Sequence, residues 1–184
     1  HMWTRRQRQM CIRDSHVLAQ SGEDIIAYSD TGTYAANLEK AAALTPEPAP
    51  LGAETISRVD TPNAKTIDTV AAQLGLSTSQ NVKTLIVEGE EDGVLIAIIL
   101  RGDHELNEIK AARLPGVASP LTFAAEERIP MVMGANVGSL GPVDCNIPFY
   151  VDASAASLAD FVCGANEDGV HFRGVNWQRD VSLR

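Results

Sequence analysis

The run VKTLIVEGEEDGVLIAIIL, residues 82–100, carries the sharpest hydrophobic pattern in the chain. Two β-branched segments flank an Asp-Gly pair, the residues a tight turn needs, and together they predict a hairpin. The second segment is apolar at consecutive positions, which predicts a strand covered on both faces. Shorter stretches predict further strands at TISRVD (55–60), FYVD (149–152) and GVHF (169–172). A helix is predicted from Ile67 to Leu74, with Thr66 as its cap, Ile67, Val70, Ala71 and Leu74 inward, and Gly75 as its stop. Further helices are predicted at TYAANLEKAAAL (33–44), after Asp103 with Leu106 and Ile109 buried, at SPLTFAAEERIP (119–130) closed by Pro130, and at ASLADFV (156–162) with Leu158, Phe161 and Val162 inward. TPEPAPLGAE (45–54) is a proline-rich loop. Helices and strands alternate, but with a hairpin among them. The expected fold class is therefore α/β, a mixed β-sheet with surrounding helices.

Composition narrows this to one domain. The chain has 184 residues, 45% of them hydrophobic and 5% aromatic, enough for one core built mostly of Val, Ile, Leu and Ala. No apolar run is long enough to span a bilayer. Residues 1–15 lack periodicity, begin with a His-Met pair typical of a cloning remnant, and are set apart from the single domain expected over 16–182.

Net charge is −9; the first fifteen residues hold Arg5, Arg6, Arg8 and Arg13 against Asp14, so the rest stands at −12. A body this acidic will not hold nucleic acid by broad electrostatics, so any such partner must be gripped locally. Cys11, Cys145 and Cys163 are odd in number and form no CxxC, which fits a reducing cytoplasm rather than a disulfide framework. The four histidines have no metal-ligand spacing. No metal or cofactor is expected. Signatures of serine hydrolases, zinc proteases and P-loop proteins are absent.

A few positions invite chemistry. Lys65 stands at the entry of the Ile67–Leu74 helix, where an exposed cation opposes the helix dipole by about 0.3–1 kcal/mol. The loop Gly138-Ser139-Leu140-Gly141-Pro142 can bring backbone N–H groups close to a phosphate, a carboxylate or a carbonyl oxygen, or can simply be a connection. Asp152 follows an apolar strand, a place for chemistry but equally for an N-cap, a role Ser154 competes for. His171 lies in an apolar strand, where a satisfied structural histidine is as natural as a base.

Longer phrases carry a more specific signal. VLAQSGEDIIAYSDTGTYAANLEKA, VDTPNAKTI, VKTLIV, RGDHELNEIKA, ASPLTFA, GSLGPV and GANEDGVHFRGVNWQRDV, in that order, together resemble the insertion domain of bacterial prolyl-tRNA synthetase, a YbaK-type aminoacyl-tRNA deacylase domain. The resemblance covers about residues 16–182. It implies the mixed-sheet fold of that editing domain and hydrolysis of alanine wrongly esterified to tRNA(Pro), by a pocket that admits alanine and rejects proline. It implies Lys65, Gly138, Asp152 and His171 as catalytic residues, and Asn63, Ser139, Leu140, Gly141 and Pro142 as substrate-binding. It also implies that the stretches 16–28 and 177–184 are edges of the synthetase core, that the parent enzyme is a proline-tRNA ligase of the cytoplasm, and that the partner is the acceptor end of tRNA(Pro) carrying alanine.

Under this resemblance, amides of residues 138–141 polarise the ester carbonyl and a placed water attacks. Lys65 binds the phosphate or ribose of the terminal nucleotide, Asp152 the substrate's ammonium. His171 orients the water or lines the alanine pocket. Two other readings compete: a free-standing deacylase for another ester such as Cys-tRNA(Pro), and a non-catalytic tRNA-binding module.

Overall fold

The computed structural model describes residues 25–50 and 52–181. The basic stretch 1–15, most of 16–28 and residues 182–184 lie outside them. The chain divides into two units, residues 1–41 and 42–184.

The described part of the first unit is a small antiparallel hairpin of β1 (Ile26–Tyr28) and β2 (Ala35–Asn37), with Tyr28 opposite Ala35. The helix predicted over 33–44 does not form. Alanine's helix propensity is a weak prior that local pairing overrides. Here Ser29 Oγ accepts from the Gly32 amide at 3.0 Å and Ser29 N donates to Tyr34 O at 2.9 Å, closing a turn that sets the strands in register. Asn37 Oδ1 then accepts from the Glu39 amide, turning the chain where a helix would continue.

In the second unit the strands are β3 (Ser57–Asp60), β4 (Val82–Glu88), β5 (Leu95–Arg101), β6 (Phe149–Val151), β7 (Phe161–Gly164) and β8 (Val170–Val175). The helices are α1 (Ile67–Leu74), α2 (Glu108–Ala111), α3 (Ile129–Met133) and α4 (Ala153–Ala156). One antiparallel sheet runs β3-β8-β7; a second runs β4-β5-β6, its last pair parallel. A parallel bridge from Asn81 to Val162 links them. The architecture is the mixed α/β arrangement read from the sequence.

The β4–β5 hairpin forms as predicted, with Gly93 at φ 83° in its turn. All of β5 from Leu95 to Leu100 is buried. Ile96, Ile98 and Leu100 pack one face with Val87 and Val117. Leu95 and Ala97 pack the other with Ile129, Met133 and Leu140, while Ile99 joins Phe161, Val175 and Trp177. Each fully buried Ile or Leu contributes about 1.5–3 kcal/mol over an exposed one, so this strand holds the domain together.

Helix α1 matches its sequence reading at both ends. Thr66 caps it by accepting from the Thr69 amide, and Gly75 ends it at φ 66°. Its Val70 is buried with Ala64 and Val162. Three other helix readings are corrected. Asn107, not Asp103, caps α2, because the Asp103 carboxylate is held by the Arg101 guanidinium at 2.7 Å; Ile109 stays exposed. Residues 119–128 are extended and turned, and Pro130 opens α3 instead of closing a helix, since its missing N–H costs nothing in a first turn. The apolar residues of ASLADFV split: α4 ends at Ala156, and Phe161 and Val162 enter β7. Phe161 stacks against Trp177, ring centroids 4.7 Å apart, a tertiary contact that helical spacing cannot reveal. Among the described residues no helix is long and apolar enough to cross a membrane.

Candidate active site

Three loop segments converge beside the β3-β8-β7 sheet. The first, after β3, turns at Thr61-Pro62-Asn63-Ala64. Ala64 N donates to Thr61 O at 3.2 Å and Asn63 sits at φ 64°, the third place of a turn that wants glycine or asparagine. Because Ala64 is buried under α1, the next residue, Lys65, is turned outward and exposed. The second segment is Asn136–Ser139, just after α3, and the third is the turn between β7 and β8.

Direct bonds join the three. Thr61 N donates to Gly169 O at 2.8 Å, Gly169 N to Ser139 Oγ at 3.1 Å, and Asn166 N to Ser139 O at 2.9 Å. Asn136 donates both its amide N–H, at 2.7 Å, and its side-chain N–H to the Asp168 carboxylate. Gly138, at φ 102°, presses against the first segment: a Cβ there would lie 2.7 Å from the Lys65 carbonyl oxygen. Only glycine provides both that backbone angle and that approach.

Between the segments lies a cleft of about 900 Å³. Lys65, Asn63 and Ser139 of the sequence-derived set line it, and the Gly138 backbone stands against the Lys65 backbone at its wall. Lys65 has no ion-pair partner among the described residues, so its ammonium is available to a ligand. Of the glycine-loop amides, Ser139 N is used by Asn136 O at 3.2 Å and Gly141 N by Asn166 Oδ1 at 2.9 Å. The Gly138 amide makes no hydrogen bond among the described residues and stands against Lys65, so it is an available donor.

The other candidates sit elsewhere. Leu140 and Pro142 are buried, and a Cβ on Gly141 would lie 1.9 Å from the Gly164 carbonyl oxygen. Gly141 docks the loop on β7, Leu140 packs with Ile86, Leu95 and Ala97, and none of the three is among the residues lining the cleft. His171 is 4% exposed and lies behind the wall, with Nδ1 2.6 Å from the Thr61 hydroxyl. Burial pushes its pKa below the ordinary imidazole value, and the Gly138 backbone beside the ring offsets part of this. Asp152 is not brought to the cleft. It caps α4 at the end of the edge strand β6, accepting from Ser154 N at 3.0 Å, with His104 Nδ1 at 3.8 Å.

The sequence reading passed over four cleft residues, Asp60, Glu126, Asn136 and Asp168. It also passed over Thr61, fully buried beneath the cleft. The signal was faint: Asp60 and Thr61 stand in the same phrase as Lys65, and Asp168 precedes a glycine in the phrase that holds His171.

Nucleophiles are scarce. Burial drives the Cys163 thiol far above its ordinary pKa and raises that of Cys145, so neither is a ready thiolate. Among the described residues no three His, Cys, Asp or Glu side chains are grouped to hold a metal. Among the described residues the cleft offers an unpaired cation, unbonded backbone amides and several carboxylates, a set suited to positioning a polar ester and a water.

Known proteins share this frame. Residues 61–181 match the family model of the aminoacyl-tRNA editing domain. A candidate trans-editing enzyme for prolyl-tRNA synthetase, known from its crystal structure, is 25% identical over 67% of this chain and 78% of its own, with a TM-score of 0.57. A hypothetical protein is 28% identical over 64% of this chain and 79% of its own, with a TM-score of 0.52. A scaffold protein from epitope backbone grafting, 24% identical over 67% of this chain and 78% of its own, shares the fold at a TM-score of 0.57. The fold is that of YbaK-type editing domains, and the matched span contains Lys65, the glycine loop and the β7–β8 turn; the chain belongs to the aminoacyl-tRNA editing domain family, which implies a tRNA substrate and aminoacyl-tRNA deacylase activity.

Proposed function

We propose that this chain hydrolyses the ester of mischarged Ala-tRNA(Pro), and that it is the editing part of a proline-tRNA ligase. The observation that carries the reading is the unpaired Lys65, lining a cleft of an editing-family fold with the Gly138 backbone pressed against its own. Lys65 holds the terminal phosphate or ribose of the tRNA. It acts together with the amino-terminal end of α1, since cation and helix dipole attract the same anion.

The Gly138 amide meets the ester oxygen as it gains charge, and a water held in the cleft attacks the carbonyl carbon. The carbon–ribose oxygen bond breaks, and the proton given up by the attacking water passes to the leaving ribose oxygen, freeing alanine and tRNA. Fixed geometry lowers the barrier without a strong base, which fits a cleft with no activated thiol. Asn63 and Ser139 line the substrate space. The link to proline rests on the sequence resemblance to the synthetase insertion domain and on the trans-editing neighbour.

That neighbour also favours a second reading, a free-standing deacylase that clears tRNA(Pro) in trans. A panel of alanyl, cysteinyl and prolyl esters of tRNA(Pro) separates the possibilities. Cleavage of the alanyl ester with the prolyl ester spared is expected; preference for the cysteinyl ester would point to another editing role. Tight tRNA binding without cleavage of any ester would leave only a binding module. Lys65→Ala is expected to lower alanyl-ester cleavage by at least about tenfold, one lost charge-assisted contact, with an unchanged thermal melt. Wild-type cleavage would remove Lys65 from the mechanism.

A further inference from the structure

We propose that Asp168, held by Asn136, is the carboxylate that receives the α-ammonium of the aminoacyl group. This rests on the reading of the cleft as an aminoacyl-ester site. Every such ester carries an ammonium one carbon away from the carbonyl that is attacked. The groups that bind the two must therefore stand close together on one rigid frame.

Asp152 does not meet this requirement, since it caps α4 away from the cleft. Among the described residues three carboxylates line the cleft: Asp60, Glu126 and Asp168. Asp60 and Glu126 make no side-chain hydrogen bond among the described residues, so each would have to be ordered by the ligand itself. Asp168 is already oriented. Its Oδ1 accepts from the Asn136 amide and its Oδ2 from the Asn136 side chain. Each oxygen keeps a further lone pair for a donor in the cleft.

The frame is shared with the ester-polarising amide. Asn136 lies two residues before Gly138. Gly169, next to Asp168, donates to Ser139 Oγ on the other side of Gly138. Ammonium acceptor and ester donor thus hang on one loop, fixed from both ends. Lys65, of the wrong charge for an ammonium, is left to the nucleotide end of the substrate.

The test compares alanyl-tRNA(Pro) with lactyl-tRNA(Pro), in which a hydroxyl replaces the ammonium at nearly the same size. For the wild type, kcat/KM is expected to be about 30-fold higher on the alanyl ester, the size of effect seen when one partner of a close charge pair is lost. Asp168→Asn should lose most of that preference, its loss on the alanyl ester being much larger than its loss on the lactyl ester. Asn136→Ala should lose part of it, because it frees the carboxylate without removing it. An equal loss on both esters would make Asp168 structural and overturn the proposal, as would loss of the preference in Asp60→Asn instead. If the wild type cleaves neither ester, the editing reading itself fails; if it cleaves both and Asp168→Asn keeps the preference, only the ammonium assignment fails.

Discussion

His171 illustrates how one side chain can matter through the wall it braces. Its ring is buried against the Thr61 hydroxyl and the Gly138 backbone, so it fixes the first and second loop segments relative to each other. Burial lowers its folded-state pKa below the unfolded value of 6.5. Below pH 6.5 the unfolded chain therefore binds a proton that the folded chain resists. Stability from this residue is complete above that pH and is lost as the pH falls toward the depressed folded value. Thermal melts across pH 5–8 are expected to show this slope in the wild type and to lose it in His171→Asn, whose side chain can still meet Thr61. A slope unchanged in the variant would assign it to other groups. The identity of this histidine was legible in the sequence, but its placement was not. Whether a histidine faces a cleft or backs its wall depends on which strand lies beside it, and here β3 pairs across it, with Val59 opposite His171.

At the scale of elements, the local signals of α1 and of the β4–β5 hairpin held, whereas those for a helix over 33–44 and for an Asp103 cap did not. Helix α1 was legible to the residue because Thr66 and Gly75 act through neighbours in sequence. The β4–β5 hairpin was legible because its apolar runs and Asp-Gly turn are contiguous. The division of ASLADFV between α4 and β7 was not, because it follows from Phe161 meeting Trp177 sixteen residues away. The glycine loop was singled out for backbone access, and half of its glycine chemistry proves to be docking. A Cβ on Gly141 would sit 1.9 Å from the Gly164 carbonyl oxygen, and one on Gly164 would sit 2.2 Å from Ser139. Gly141→Ala is accordingly expected to destabilise by about 3 kcal/mol, the cost of forcing packed backbones apart. Gly75→Ala, at φ 66° with nothing within 4 Å, should lose only about 1 kcal/mol of left-handed strain. Urea midpoints at constant slope measure both, and equal losses would mean that the loop does not depend on this contact.

For the whole molecule, charge sets the terms of recognition. At −9 overall, with Lys65 the one cation lining the cleft among the described residues, the chain has little to offer a polyphosphate. Its affinity for uncharged tRNA is expected to be weaker than about 10 μM at physiological salt, with a shallow salt dependence. Submicromolar, steeply salt-dependent binding in a fluorescence titration would contradict this and favour the binding-module reading. On the proposed reading, specificity comes from the ester end of the substrate.

The contact between Gly138 and the Lys65 carbonyl has a bearing on that specificity. The two walls there meet main chain to main chain, with no side chain between them to trim. That part of the frame is therefore set by backbone. Shaving rim side chains should leave the contact as it is, whereas a residue inserted into Asn136–Ser139 would reset it. A route to a deacylase for bulkier amino acids then runs through the length of that loop.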